Sequence, residues 1–308
     1  MKNSLMKKKI GLFLIIVLIL AGLVLSCQVV MKATDSLAQV AGATGLIDPN
    51  VAAAISVSAR AIGTAAEDIT PEQEYFIGRA VAANILTSYR LWNGNPALTA
   101  YLNHICAAIT INSPMPEIFH GYRVAILDSN EINAFATPGG HIFLTRGLIS
   151  AARSEDALAG VIAHEVAHIQ LMHGIRAIKN TRITQAIMVT GTAAAGAATG
   201  MDVNELTEVF NETVGEIVQT LVQNGYSQAQ EFEADNLAMT LMASAGYNPT
   251  GLVEMLRALG TVQTAGSGFG RTHPTPAQRI TNAERSVNSF TVADNSTLRS
   301  ARFTTATR

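Results

Sequence analysis

The stretch from Ser154 to Gly174, SEDALAGVIAHEVAHIQLMHG, constrains this chain more than any other. Ser154 suits an N-cap, Glu155 and Asp156 suit the positive end of a helix dipole, and Gly174 suits a stop, so the spacing predicts one helix. Most other residues in it are apolar, so the helix is expected to be buried. Inside it lie His164, Glu165 and His168. Positions i and i+4 share a face, so both imidazoles can reach one metal ion. Glu165, about 100° round the axis, can reach a water on that ion. Three titratable groups on an apolar helix are costly to bury without such a reason. The bland alternative is a pair of hydrogen-bonded core histidines.

The metal needs a third ligand. Leu171 and Gly174 stand where a metzincin would carry Gly and His, which excludes that class. His173 is nine residues past His164, about 180° round a continuing helix. It is therefore expected to point away from the metal, as a capping or surface residue near the helix C-terminus. A better candidate lies in Ser227–Asp235, SQAQEFEAD. Ser227 and Gln230 fit a capping box. Glu231 and Asp235 share a face, while Glu233 lies about 200° from Glu231. Glu231 as ligand, with Asp235 behind it accepting the second N–H of a ligating histidine, accounts for both carboxylates. The alternative is a solvated acidic helix start.

HEVAH, then EFEAD, then His273-Pro274 before a helix, together resemble zinc metallopeptidase family forty-eight, the HtpX-like and prenyl-protein endoprotease-like gluzincins. The run from Asn133 to Leu148, NAFATPGGHIFLTRGL, adds to the match. The resemblance covers roughly residues 70–280. It implies a mainly helical α+β gluzincin-type domain with a small antiparallel sheet and an H-E-x-x-H helix. It further implies one Zn²⁺ per chain on His164, His168 and Glu231, with Glu165 as catalytic base. His273 would stand near the cleft, either donating to the oxyanion or swinging onto the metal as a latch. Asn133, Ala134 and Phe135 would line a strand edge to which a polypeptide substrate adds as a further strand. The implied activity is hydrolysis of peptide bonds in envelope proteins, in quality control. The rival is a non-catalytic lipoprotein chaperone or assembly factor that keeps the fold.

In the rest of the chain, 48% apolar content over 308 residues allows one sizeable core. The net charge of −2 becomes more negative once the four lysines of residues 1–26 are set aside, and no basic run gives reason to expect nucleic acid. Those lysines precede an apolar run, Ile10 to Leu25, and then Ser26-Cys27. That order predicts a signal peptide over 1–26 and a lipidated Cys27. The membrane partner is then a lipid anchor in a bacterial envelope. Gln28 after the cysteine favours the periplasmic face of the outer membrane. Residues 27–69 read as a tether with weak helices, 70–285 as the zinc metallopeptidase domain, and 286–308 as a polar, disordered tail.

Thr70-Pro71 and Asn95-Pro96 start helices. Residues 122–127, 132–137 and 141–145 read as strands, the last two joined by Pro138-Gly139-Gly140 as a hairpin. Residues 186–200, uncharged and rich in small residues, read as a closely packed helix or a segment dipping into a membrane. Cys106 reads as a core residue, and His104 and His120 as packing or surface residues.

Overall fold

A computed structural model describes residues 70–176, 214–215, 217–262, 268–273 and 276–307, with a few positions between 36 and 44. The expectations on the signal peptide, Cys27, the 186–200 segment and Pro274 lie outside the described residues. Among the described residues no helix is long and apolar enough to cross a membrane. The elements below belong to one compact unit, 70–176 and 211–308.

Helix α1 spans Pro71–Ser88 and α2 spans Pro96–Ile111. Both begin at a proline, whose fixed φ suits the first turn. Asn95 caps α2 by accepting from the Leu98 amide. Cys106 is buried on the core side of α2, and burial pushes its thiol pKa up to about 12. His104 and His120 are exposed.

Three strands follow: β1 (Arg123–Leu127), β2 (Ala134–Ala136) and β3 (His141–Thr145). Their order is β1-β3-β2. β2 and β3 pair antiparallel across the Pro138–Gly140 turn, but β1 and β3 pair parallel. The sheet is therefore mixed, not antiparallel as expected. The chain reverses once between β1 and β2 and again at Pro138–Gly140. Two reversals restore the direction of β1. β3 takes the centre, as its run of buried residues Ile142–Thr145 befits. β2 is left at an edge.

Thr145 caps α3 (Arg146–Ala151), and Ser154 caps α4 (Glu155–Gln170) by accepting from Ala157 at 3.0 Å. Every residue of α4 except Asp156 is buried. It packs on α2, β2, α5 (Gln228–Ser244) and α6 (Thr250–Val262). The contact with α6 is backbone to backbone. A Cβ on Gly160 would come within 2.8 Å of Leu252 Cα, and one on Gly251 within 2.5 Å of the Asp156 carbonyl. Neither position has room for a methyl group.

The chain ends in α7 (Phe269–Thr272), α8 (Pro276–Ser286) and α9 (Ser296–Thr307). The last corrects the expectation of a disordered tail. α9 packs on α4 and α2, with Phe303 and Ala306 against the core. Arg299, buried, donates to Asp156 at 3.0 Å and to the Gly246 carbonyl at 3.0 Å. Arg302 pairs with Glu155, which also accepts from Tyr101. Two arginines thus meet the two acids in the first turn of α4. Composition alone hid this, because two of the side chains that dock the segment are arginines.

Candidate active site

Two helices and one short turn build the site. α4 presents His164, Glu165 and His168, one turn or less apart. α5 presents Glu231 and Asp235 from its capped first turns. His273 follows α7, held by its amide donating to Phe269 O at 2.7 Å. One donor atom from each of His164, His168, Glu231 and His273 lies within 4.8 Å of every other. All four side chains are buried.

The spacing can be checked against metal chemistry. Tetrahedral zinc with bonds of about 2.0–2.1 Å separates its ligand atoms by about 3.3 Å. Here His164 Nε2 and His168 Nε2 are 3.0 Å apart, Glu231 Oε2 lies 3.5 Å from the first and Glu231 Oε1 3.4 Å from the second. The donors are two imidazoles and a carboxylate, the set a catalytic zinc takes. Oε1 of Glu165 is buried without a hydrogen bond, with His273 Nε2 3.5 Å away. The residues fit such an ion.

Electrostatics agree. Burial and Arg279 both oppose a positive charge on His164, yet Asp235 and Glu231 outweigh them and hold its pKa at about 9. The two acids thus favour positive charge beside them. Burial, and then the neighbouring His164, push His168 well below the ordinary histidine range. Burial would raise Glu231, but Arg279 and His273 hold it well below the carboxylate range. Glu165 is raised, chiefly by burial, against the pull of His273 and His164. A raised carboxylate is the state a general base near neutral pH requires.

His164 and His168 are each held from behind. His164 Nδ1 lies 3.0 Å from Asp235 Oδ1, as expected for a supporting carboxylate. Asp235 in turn accepts two bonds from Arg279, at 2.8 and 2.6 Å. Arg279 is fully buried and also reaches Glu231 at 2.7 Å. Burial would raise Asp235, but Arg279 brings it down to about 2. His168 Nδ1 lies 2.8 Å from His173 Nδ1, and His173 Nε2 lies 3.2 Å from Glu233. Tyr226 stacks on the His168 ring at 4.1 Å and 15°.

His173 corrects the expectation of a capping or surface residue. It is not among the four converging donors, but it is wholly buried against His168. The helical extrapolation failed because α4 stops at Gln170. Met172 takes a left-handed φ of 54°, and the chain turns back to bring His173 under His168. Arg279 and Tyr226 were also missed. An arginine on an amphipathic helix ordinarily reads as solvated. Its only signal was a position six residues past His273.

Of the strand residues, Ala134 and Phe135 are buried, and the Phe135 ring packs on Tyr89. Asn133 is buried too. Its Oδ1 accepts from the Ala134 amide and from Thr272 Oγ1 at 3.0 Å, and Phe269 N donates to Ile132 O at 2.8 Å. The approach to β2 is thereby tied to the segment that carries His273.

An H-E-x-x-H helix, a glutamate from a second helix and a buried base beside a strand edge define a metallopeptidase site of the gluzincin type. The chain belongs to peptidase family M48, whose model matches residues 96–287. It is 28% identical over 189 residues to the mitochondrial metalloendopeptidase OMA1 of Schizosaccharomyces pombe, covering 60% of this chain and 52% of that protein. It is 27% identical over 237 residues to a putative beta-barrel assembly-enhancing protease of Vibrio cholerae, covering 74% of this chain and 47% of the other. To the metalloprotease LoiP of Escherichia coli it is 28% identical over 152 residues, with 49% and 57% covered. The chain spans about half the length of these curated relatives.

Proposed function

We propose that this protein is a zinc-dependent endopeptidase of the bacterial envelope, tethered to the membrane by a lipid on Cys27. The observation that carries the activity is the convergence of His164, His168 and Glu231 beside a buried Glu165. Zinc, when held there, supplies Lewis acidity and a water acidified to a pKa of about 7. Glu165 takes the water's proton and returns it to the departing amine. The side chains of Ala134 and Phe135 face the interior, so a substrate strand beside β2 meets main chain there. That favours selection by extended shape over selection by sequence.

His273 adds either of two effects. Its Nε2 is 3.5 Å from Glu165 and its Nδ1 is 3.1 Å from Glu231. From there it can donate to the developing oxyanion or occupy a ligand position until substrate arrives. The names of the relatives, a mitochondrial metalloendopeptidase and a beta-barrel assembly-enhancing protease among them, support hydrolysis of protein substrates; the envelope quality-control role is our own reading.

The test is elemental analysis and casein cleavage by the purified chain. The wild type is expected to carry one zinc and to cleave. Glu231→Ala should lose the zinc. Glu165→Gln should keep zinc and lose two to four orders of magnitude in rate. A zinc-loaded wild type that cleaves nothing would leave the chaperone reading instead.

A further inference from the structure

Both ligating histidines carry a partner on Nδ1, but the partners differ in kind. Behind His164 stands a carboxylate, Asp235, sealed in by Arg279. Behind His168 stands another histidine, followed by Glu233, half exposed and paired with Arg176 at 3.3 Å. The tautomers along this second chain are forced by chemistry. If His168 gives the Nε2 lone pair to a metal, its proton sits on Nδ1 and must be donated. His173 Nδ1, at 2.8 Å, is then a bare acceptor. The His173 proton consequently sits on Nε2 and is donated to Glu233 at 3.2 Å.

We propose that His173 and Glu233 form a positioning relay that locks His168 in the tautomer and ring angle that present Nε2 to the metal. This rests on the metal-site reading above and adds to it the residues that hold the second ligand. Neither residue touches substrate or metal. Each acts through His168. Tyr226 fixes the face of that ring, and the relay fixes its edge. A ring held on one face only can still turn about χ2 or present the wrong nitrogen. The relay also leads from the buried centre to a surface ion pair, which the Asp235 side does not.

The test compares zinc affinity, by chelator competition, and the visible spectrum of the cobalt-substituted protein. The proteins are wild type, His173→Leu, His173→Asn and Glu233→Ala. Asn places an acceptor close to where Nδ1 stood, whereas Leu fills the space without one. His173→Leu is expected to weaken zinc by roughly 10–100-fold, the usual cost of removing such support. His173→Asn should recover most of that loss. Glu233→Ala should weaken zinc several-fold and alter the cobalt bands, while the metal-free proteins melt alike.

Zinc affinity unchanged within twofold in both His173→Leu and Glu233→Ala would overturn the relay. Equal losses in His173→Leu and His173→Asn would also overturn it, leaving packing as the cause. If His173→Leu does not fold, Glu233→Ala decides alone, because Glu233 is half exposed. A wild type that binds no zinc would instead refute the metal-site reading itself.

Discussion

Replacing Arg279 by Met offers the sharpest test of the buried charge arrangement. The guanidinium is fully buried and makes two bonds to Asp235, at 2.8 and 2.6 Å, and a contact to Glu231 at 2.7 Å. Methionine fills similar length without charge and leaves two carboxylates in the interior. Breaking one buried pair from one side costs about 3–5 kcal/mol. For a domain of this size that is a fall in Tm of roughly 6–20 °C. The pH dependence follows from Asp235. Arg279 overcomes burial and holds its pKa at about 2, below the ordinary aspartate value. That stabilisation is complete above about pH 4 and is lost as the pH falls through the folded value. In the variant the stranded carboxyl takes up a proton at higher pH and so relieves its own penalty. The gap between the proteins should therefore be widest near neutrality and narrow toward pH 4. Urea unfolding with a chelator present, at pH 7.5 and 4.5, reads this directly. Added zinc should also narrow the gap by supplying positive charge. A gap under about 1 kcal/mol at pH 7.5, or one undiminished at pH 4.5, would refute the reasoning.

Other outcomes can be stated briefly. His273→Ala should slow casein cleavage by about 10²–10³-fold if the side chain donates to the oxyanion, and should raise basal activity if it is a latch. Unchanged kinetics with zinc bound would leave it only a packing role. Arg299→Ala strips partners from Asp156 and the Gly246 carbonyl and should cost about 1–3 kcal/mol in urea unfolding. An unaltered midpoint would mean that α9 docks through Phe303 and Ala306 instead. Cys27→Ser should accumulate as unprocessed precursor on a gel, and an unmodified Cys27 in mature wild type would exclude the lipid anchor.

The cluster of His164, His168 and Glu231 was legible in the sequence because its parts are local. His164 with His168, and Glu231 with Asp235, are i and i+4 pairs, and helical periodicity alone sets their faces. The caps at Ser154 and Ser227 lie where the residues indicated. What periodicity could not reach was set by breaks in it. His173 returns to the site because the helix ends at Gln170. β3 runs parallel to β1 because two reversals intervene, and pairing order is not written in any one strand. Arg279 and α9 were obscured for a shared reason. The buried arginines Arg279 and Arg299 look solvated in one dimension, and only the acids they meet, far away in sequence, show them to be interior.

The paired glycines where α4 crosses α6 have a further consequence. Gly160 lies one turn before His164, and Gly251 closes on Asp156 at the helix start. The spacing between the two helices is therefore a mechanical tolerance with no slack in it. One added methyl would work as a shim, prying the helix that carries His164 and His168 off its support while leaving every side chain of the site chemically in place. The geometry of the candidate site is thus open to change by volume alone, at positions that bear no functional group.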